Sequence, residues 1–453
     1  MAITAPKTVI ARRAGYSRAV RSTHSLSVAP RSRHLVATDR FLRRLIRQAS
    51  GPACHGFGYR GGMSVARLLW SPELLTYDFG AGHPMAPARL DLTMRLVEAF
   101  GLPDSPSLEI ASIPASRDDL VTSVHDAGYV AAVQRAARTG EPDLERGLGT
   151  EDNPIFPVMH ESASRLVTAS ASLAEAVWAG EIQHGVNVAG GMHHARRAAA
   201  SGFCLYNDAA ATVQRFLDLG AQRVAYVDLD AHHGDGVESI FWDDPRVVTF
   251  SVHQDGRTLY PGTGSPADTG GPGAECSAVN LALPPRTDSA RWLRAVDAVL
   301  PIVLREFRPD AIVSQHGTDA HGNDPLADLN VGIDAQLEAA SWVHSLALEL
   351  CEGRWVALGG GGYAVVDVVP LVWSALVAEA AHVPIAPGTP LPQEWRVAAE
   401  EMSGLEPAKR LGRGAVAWRP WSEGYDPSDA VDRAVLATRR HVFPGLGLDP
   451  FLD

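Results

Sequence analysis

Residues 224–236 concentrate side chains that can bind a metal ion. The apolar run that opens the segment is typical of a buried strand, and Asp228, Asp230 and His232 stand at every second position after it. Buried, unpaired charge is costly, so such a set is retained where a cation or a reaction offsets that cost. Side chains at i and i+2 of an extended segment point the same way, and a carboxylate with an imidazole suits a divalent first-row metal. The segment therefore predicts a metal-dependent hydrolase with Asp230 and His232 as ligands.

Asp319 is the third ligand that we expect, because catalytic metal sites commonly use three protein ligands and keep one position open for water. It follows another predicted strand, in Gln315-His-Gly-Thr-Asp319. A lone aspartate after Gly-Thr would by default be interpreted as a helix cap or an Asx-turn. The other polar loops of the chain favour the ligand interpretation.

His193 and His194 follow two glycines at the end of a predicted strand. Adjacent histidines in a loop are often only a hydrated turn, but beside a metal-bound water they offer a base for its proton and an acid for the leaving amine. Such a pair needs carboxylates to fix its tautomers, and Asp228 and Asp235 remain free after the metal takes Asp230. Asp228 could alternatively serve a structural monovalent cation, together with carbonyl groups at the strand end.

Tyr363 stands after four consecutive glycines, residues 359–362. Glycines let the backbone approach a ligand closely, so the phenol could donate a hydrogen bond to an oxyanion opposite the metal. A tight turn with a packed tyrosine is the alternative, and a phosphate loop is a weaker one, because the Lys-Ser/Thr ending of nucleotide loops is missing. Phe203 and Tyr260 could wall a narrow apolar tunnel, although each by itself is typical of a core.

Strand-like and helix-like segments alternate from residue 70 onward, which predicts an α/β fold with a mostly parallel sheet and helices on both faces. Ligands of open parallel sheets bind at the carboxyl ends of the strands, and four of the predicted strands end in the loops described above. We therefore expect one site that collects those loops. The predicted strands are residues 186–189, 224–228, 247–252, 311–314 and 355–358, and the predicted helices are residues 86–100, 161–179, 209–219, 236–242, 290–307, 335–351 and 365–381.

The net charge of −12 is unevenly distributed. Residues 1–62 contain twelve Lys and Arg and one acid, Asp39, so they carry +11 and the remainder carries −23. We expect a disordered extension there, or sequence ahead of a start at Met63, with a nucleic-acid arm or a transit peptide as the alternatives. The acidic remainder argues against nucleic acid as a partner. Four scattered cysteines without a Cys-x-x-Cys pair fit a reducing cytoplasm, and the sequence predicts no membrane span.

Taken together and in order, these motifs resemble those of the zinc-dependent histone deacetylase superfamily, and most closely those of its bacterial acetoin-utilization branch. The resemblance covers about residues 70–450 and implies the arginase–deacetylase fold, with residues 63–453 as a single deacetylase domain. The motifs are Tyr77-Asp-Phe-Gly-Ala-Gly-His-Pro84 with Arg89-Leu, Gly190-Gly-Met-His-His194, Ser201-Gly-Phe-Cys204, Asp228-Leu-Asp-Ala-His-His-Gly-Asp-Gly236, Tyr260-Pro-Gly-Thr-Gly264, Gly359-Gly-Gly-Gly-Tyr363 and Gly424-Tyr-Asp-Pro427.

The resemblance also implies a role for individual residues. The implied ligands of zinc (or ferrous iron) are Asp230, His232 and Asp319. The implied catalytic groups are the acid/base pair His193 and His194, oriented by Asp228 and Asp235, and Tyr363, which would polarise the acetamide carbonyl. The implied substrate contacts are Asp152 at the substrate backbone and Gly202, Phe203 and Tyr260 along the tunnel. A structural potassium ion is implied near Asp228, Asp230, His232, Ser251 and Val252.

Two positions depart from the pattern of the family. Tyr260 replaces the second tunnel phenylalanine that is common among histone deacetylases, so we expect a somewhat more polar tunnel. Leu326 stands where polyamine-specific relatives carry a glutamate, which disfavours a cationic polyamine as substrate. His321, close to Asp319, has no assigned role.

The expected activity is removal of acetyl groups from lysine side chains of proteins, linked to acetoin and acetate metabolism, with acetyl-CoA synthetase as the substrate that the resemblance suggests. An acetylpolyamine amidohydrolase and a ureohydrolase on the same fold are alternatives, but a two-metal ureohydrolase would need a carboxylate where Gly234 stands. A non-catalytic acyl-lysine-binding scaffold is a third alternative. The oligomeric state does not follow from the sequence.

Overall fold

The computed structural model of the protein describes residues 65–453. Within that range eight strands form one sheet in which every pairing is parallel. The strands are β1 (Ala66–Leu69), β2 (Leu108–Ala111), β3 (His184–Asn187), β4 (Val224–Asp228), β5 (Val247–Gln254), β6 (Ala278–Leu283), β7 (Ala311–Gln315) and β8 (Trp355–Leu358). Their order across the sheet is β2-β1-β3-β8-β7-β4-β5-β6.

Helices connect the strands and surround the sheet. They are α1 (Ala88–Ala99), α2 (Asp118–Thr122), α3 (Ala127–Thr139), α4 (Met159–Trp178), α5 (Asp208–Asp218), α6 (Asp235–Ile240), α7 (Ser289–Asp297), α8 (Leu300–Phe307), α9 (Ile333–Cys351), α10 (Val369–Ala380), α11 (Gln393–Ser403) and α12 (Ala430–Val442). Among residues 65–453, none of these helices combines the length and the apolar character that crossing a bilayer requires.

The predicted α/β class and the arginase–deacetylase arrangement of a parallel sheet among helices are confirmed. Strands β4 and β8 have the predicted bounds. The strand predicted at residues 186–189 is instead β3, two residues earlier, because the chain turns after Asn187. There Asn187 Oδ1 accepts a hydrogen bond from Ala189 N at 3.2 Å, and the Asn187 carbonyl accepts one from Gly190 N at 3.1 Å.

The helix predicted at residues 290–307 is two helices, α7 and α8. Pro301 lies in the first turn of α8, where backbone N–H groups have no partner within the helix, so its lack of an N–H costs no hydrogen bond. In the middle of one long helix, Pro301 would remove a backbone hydrogen bond. The sequence analysis also missed β1, β2 and β6. The first two are only four residues long, too short for a pattern of alternation to be distinctive.

The register of the sheet brings the carboxyl ends of its central strands to one edge. Asp228 at the end of β4 pairs with Ser251 on β5 and with Gln315 at the end of β7, and Gln315 pairs with Leu358 at the end of β8. All residues of β4 to β8 are buried, as expected for parallel strands covered by helices. The loops that follow these strands therefore start side by side.

The C-terminal section after the proline-rich residues 384–392 packs against the same body. Trp395 on α11 is buried and its indole N–H donates to the Leu92 carbonyl on α1 at 2.9 Å. Asp432 on α12 accepts two hydrogen bonds from the buried Arg294 guanidinium, at 2.6 and 2.8 Å. The basic segment, residues 1–62, and the proposed start at Met63 lie outside the described residues, so those interpretations stay predictions.

Candidate active site

Asp230, His232 and Asp319 meet at the carboxyl edge of the sheet. His232 Nδ1 lies 3.1 Å from Asp230 Oδ1 and 2.9 Å from Asp319 Oδ2, and one ligating atom of each residue falls within 4.8 Å of the other two. Both carboxylates are fully buried. The structure therefore brings together, from two loops 87 residues apart, the three residues that the sequence predicts as ligands.

A divalent cation fits this donor set. Two carboxylates and one imidazole are typical ligands of a catalytic metal site with three protein ligands. Burial disfavours the charged form of Asp319, and the adjacent Asp230 carboxylate repels its negative charge, so both raise the pKa of Asp319 above its usual range. A cation between the carboxylates would remove that repulsion. These three residues are the ones that would hold it.

Backbone and glycine geometry fix the two carboxylates. Asp230 Oδ2 accepts hydrogen bonds from Gln315 Nε2 at 2.7 Å and from Gly361 N at 2.9 Å, and Asp319 Oδ1 accepts one from Ala231 N at 2.8 Å. A Cβ atom at Gly361 would lie 2.2 Å from Asp319 Oδ2, closer than real contacts allow. The loop after β8 thus needs glycine in order to reach the site.

His193 and His194 lie next to this triad, with ring centroids 4.0 Å apart. His193 Nδ1 is 2.8 Å from Asp228 Oδ2, and His194 Nδ1 is 2.7 Å from Asp235 Oδ1. Because a carboxylate can only accept, each Nδ1–H donates, and Nε2 is the nitrogen left for chemistry. The structure thus gives each histidine one of the two carboxylates expected to orient the pair.

The environments of the two histidines differ. Burial opposes protonation of His193, but the Asp228 and Asp230 carboxylates outweigh burial and raise its pKa to about 9. Burial, and then the neighbouring His193, lower the pKa of His194 to about 4, although Asp235 opposes that shift. A cation at the triad would lower the pKa of both rings. Of the two rings, His194 has the lower pKa, and in its neutral form its Nε2 can accept a proton.

Tyr363 is held by groups on both sides of its loop. Its N–H donates to Asp324 Oδ2 at 2.7 Å, and the buried Arg89 guanidinium donates to the carbonyl groups of Gly360 and Gly362 at 3.1 Å each. Both glycines have φ near +140°, a conformation that side-chain-bearing residues rarely adopt. Burial raises the pKa of the phenol well above its usual range, so Tyr363 keeps its proton and can donate it in a hydrogen bond.

Most of the residues predicted for the site line one cavity of about 210 Å³, whereas Asp228, Asp235, Ser251 and Val252 are not part of its lining. The three triad residues, both histidines and Tyr363 line it, together with Leu326 and the four residues implied as substrate contacts. The lining residues among those predicted are Asp152, His193, His194, Gly202, Phe203, Asp230, His232, Tyr260, Asp319, Leu326 and Tyr363.

Aromatic rings wall this cavity. Phe203 packs edge-on against Tyr363, with ring centroids 5.7 Å apart, and Tyr260 packs edge-on against His194 at 5.1 Å. Tyr260 is 42% exposed, with its hydroxyl beside Ser201 Oγ, so it stands at the polar mouth. A Cβ atom at Gly202 would lie 2.4 Å from the His194 ring, so glycine keeps the passage open.

Two of the residues implied for potassium, Asp230 and His232, belong to the triad itself, and the potassium site stays a prediction. Asp228 Oδ2 accepts hydrogen bonds from Tyr226 and His193, while Ser251 Oγ lies 2.9 Å from His253 Nδ1. Val252 is buried on β5.

His321 is absent from the cavity lining. Its Nδ1 accepts a hydrogen bond from Asn323 N at 3.1 Å, which gives it a local role in the loop after Asp319.

Three positioning residues escaped the sequence analysis. Asp324 and Arg89 hold the loop of Tyr363, and Asp208 accepts hydrogen bonds from Gly191 N and Met192 N at 2.8 to 3.1 Å, ahead of the histidine pair. Arg89 belongs to the motif that begins at Tyr77, and Asp208 follows the Ser201–Cys204 motif by four residues. No sequence signal distinguishes Asp324 from an ordinary loop aspartate.

Comparison with known proteins shows what the chain is similar to. A family model described as the histone deacetylase domain matches residues 83–380. The acetoin utilization protein AcuC of Bacillus subtilis (strain 168) is 39% identical over 333 residues, which cover 73% of this chain and 85% of that protein. The proteins of the same name from Staphylococcus aureus (strain MSSA476) and Staphylococcus xylosus are 36% and 33% identical, covering 73% and 72% of this chain and 85% of each relative. The chain therefore belongs to the histone deacetylase family.

Proposed function

We propose that this protein is a metal-dependent amidohydrolase that removes acetyl groups from lysine side chains of proteins. The observation that carries the proposal is one cavity whose lining combines the Asp230–His232–Asp319 triad, two carboxylate-bound histidines and a protonated tyrosine. Its walls are apolar enough for an alkyl chain and its volume of about 210 Å³ suits a single side chain.

Zinc or ferrous iron is the cation that we propose for the triad. Such an ion, when bound, would activate a water molecule and polarise the amide carbonyl. We also propose the structural potassium ion near Asp228, Asp230, His232, Ser251 and Val252.

The residues of the chain divide the remaining work. His194 Nε2 accepts the proton of the attacking water, since its Nδ1–H is bound to Asp235. The Tyr363 hydroxyl donates a hydrogen bond to the carbonyl oxygen as negative charge develops there. A protonated ring of the histidine pair then donates a proton to the departing lysine amine. Phe203 and Tyr260 hold the lysine chain, and Asp152 at the mouth accepts a hydrogen bond from the substrate backbone.

Acetylated protein is the substrate class that the site favours. Leu326 presents an apolar side chain to the cavity, where recognition of a polyamine would need a carboxylate. The matched relatives are named for acetoin utilization, which supports a role in acetoin or acetate metabolism, with acetyl-CoA synthetase as the candidate protein and the cytoplasm as the location.

A two-metal ureohydrolase is disfavoured by packing. A Cβ atom at Gly234 would lie 2.3 Å from Asp228 Oδ2, so no carboxylate side chain fits at the position that a second active-site metal would require. Release of urea from guanidino compounds by the purified protein would overturn this conclusion.

The deciding experiment compares purified, metal-defined protein on acetyl-lysine peptides and on acetylpolyamines. We expect turnover of the peptides, loss of turnover with a chelator, and recovery on adding zinc or ferrous iron. The matched control is Tyr363→Phe, which keeps the cavity shape. Faster turnover of polyamines would reassign the substrate, and peptide binding without turnover by any metal form would indicate a scaffold.

A further inference from the structure

Three histidines meet at the opposite end of β3 from the active site. His184 is the first residue of β3, His344 lies on α9, and His382 follows α10. His382 Nε2 is 2.9 Å from His184 Nε2 and 3.1 Å from His344 Nε2, and a ligating atom of each residue lies within 4.8 Å of the other two. His184 and His344 are buried, whereas His382 is exposed. The cluster is therefore reachable from solvent on one side only.

Hydrogen bonding among neutral imidazoles does not account for both contacts. His344 Nδ1 is 2.7 Å from Glu379 Oε1, so this Nδ1–H donates to the carboxylate and the Nε2 of a neutral His344 carries a lone pair. His382 Nε2 holds at most one proton and can donate it to one neighbour only. If His382 Nε2 donates its proton to His344, it has no lone pair with which to accept a hydrogen bond from His184. If it instead accepts a hydrogen bond from His184, the Nε2 lone pairs of His382 and His344 face each other at 3.1 Å. A cation that binds the lone pairs of all three nitrogens resolves the conflict.

The arrangement has the features of a metal site. Imidazole nitrogens are favoured ligands of zinc, copper and nickel, and three of them with an open fourth position form a complete protein contribution. Tetrahedral bonds of about 2.1 Å place ligand nitrogens roughly 3.4 Å apart, so the observed spacings need only small ring shifts. Glu379 supplies the outer hydrogen bond that commonly orients a ligating histidine.

Packing fixes the rings in place. The His344 ring stacks on the buried Trp355 ring, with centroids 5.3 Å apart and an interplanar angle of 17°. The same indole contacts the His184 ring edge-on at 5.5 Å. Two of the three imidazoles are thus held rigidly by the core, and His382 closes the set from the surface.

We propose that His184, His344 and His382 form a second site for a divalent transition-metal ion, separate from the catalytic triad, that ties the amino end of β3 to α9 and α10. A solvent molecule completes the coordination on the exposed side. The site stabilises the fold and takes no part in acetyl transfer to water.

The test measures metal content of the full, untagged chain after zinc loading and removal of unbound ions. The compared variants are His382→Ala, the matched surface control His441→Ala, and Asp319→Asn, which disables the triad. His382 is exposed, so its loss leaves the core intact. We expect one ion fewer per chain in His382→Ala than in wild type and no change in His441→Ala. Any other segment of the chain that binds metal adds the same amount to the metal content of every variant, so it does not affect the differences between variants.

The nature of the ligands is tested in the Asp319→Asn protein loaded with copper. We expect an electron paramagnetic resonance signal with splitting from several imidazole nitrogens, which His382→Ala in the same background weakens or abolishes. Zinc should also raise the melting temperature of Asp319→Asn more than that of the double variant. Equal metal content in wild type and His382→Ala, together with identical thermal responses, would overturn the proposal, whatever the outcome for deacetylation.

Discussion

Two groups of histidines stand at opposite ends of β3, and they differ in what their ring nitrogens face. In the active site, His193 and His194 each direct Nδ1 at a separate carboxylate, at 2.8 and 2.7 Å. In the cluster at the amino end of the strand, the rings direct Nε2 at one another, and His344 alone has a carboxylate partner.

The partner of each ring nitrogen, and not the number of histidines, therefore indicates the chemistry of a histidine group. A ring whose Nδ1–H is bound to its own carboxylate keeps Nε2 free to gain and lose a proton. Where three Nε2 atoms converge, protons cannot satisfy every contact, and the rings suit a bound cation instead. Substitutions should therefore affect the two kinds of site differently.

Asp319→Asn should have the largest effect. It removes one charge from the catalytic triad, and we expect kcat/KM for an acetyl-lysine peptide to fall about a thousandfold or more, since activation of the water depends on the metal. Circular dichroism should show a folded protein. Activity within tenfold of wild type would show that the triad is not the catalytic centre.

Tyr363→Phe should lower kcat by about a hundredfold to a thousandfold with little change in KM, because the phenol acts mainly on the developing oxyanion. Tyr260→Phe is the matched control, since it also loses a hydroxyl but at the mouth of the cavity. Equal losses in the two variants would contradict the assignment of the oxyanion contact to Tyr363.

Asp235→Asn should change the pH profile. His194 must be neutral to accept a proton, so activity is present above its pKa and is lost as the pH falls through it. Burial and His193 lower that pKa to about 4. The acidic limb of the pH–rate profile should therefore lie below the usual histidine pKa of about 6.5.

The Asp235 carboxylate raises the pKa of His194, so its removal should move the limb to lower pH and reduce kcat by about tenfold to a hundredfold. Metal content measured at each pH controls for loss of the ion. A limb that moves to higher pH would show that His194 is not the group observed.

His382→Ala should have the smallest effect on catalysis. Because the cluster lies at the other end of β3, kcat/KM should stay within about twofold of wild type while the chain loses one bound metal ion. Assays at a temperature well below the melting transition exclude an effect of stability. A loss of kcat comparable to that of Asp235→Asn would make the contrast between the two histidine groups untenable.

The residues of the candidate active site were predictable from sequence because they follow strands with strong signals. Asp228 ends an apolar strand whose bounds were predicted correctly, and Asp230 follows it by two residues. The positions before Tyr363 need glycine, because a Cβ atom there would clash with neighbouring groups. A parallel sheet then requires the strand-end loops to share one edge.

Other features depend on contacts that no local pattern encodes. His184, His344 and His382 are separated by up to 198 residues, and each is unremarkable within its own segment. The same holds for Asp324, whose role exists only because the Tyr363 loop folds over it. Pro301, in contrast, was a local signal for the division between α7 and α8 that the periodicity of the segment concealed.

The aim of Tyr363 depends on distant parts of the chain. Arg89 on α1 holds the glycine carbonyls beneath the tyrosine, and α1 is in turn anchored by Trp395 from the C-terminal section. Substitutions in α1 or α11 would consequently alter the turnover rate without changing any contact with the acyl chain. Sequence change in those two helices could therefore adjust the rate of the reaction during evolution while the choice of substrate stays the same.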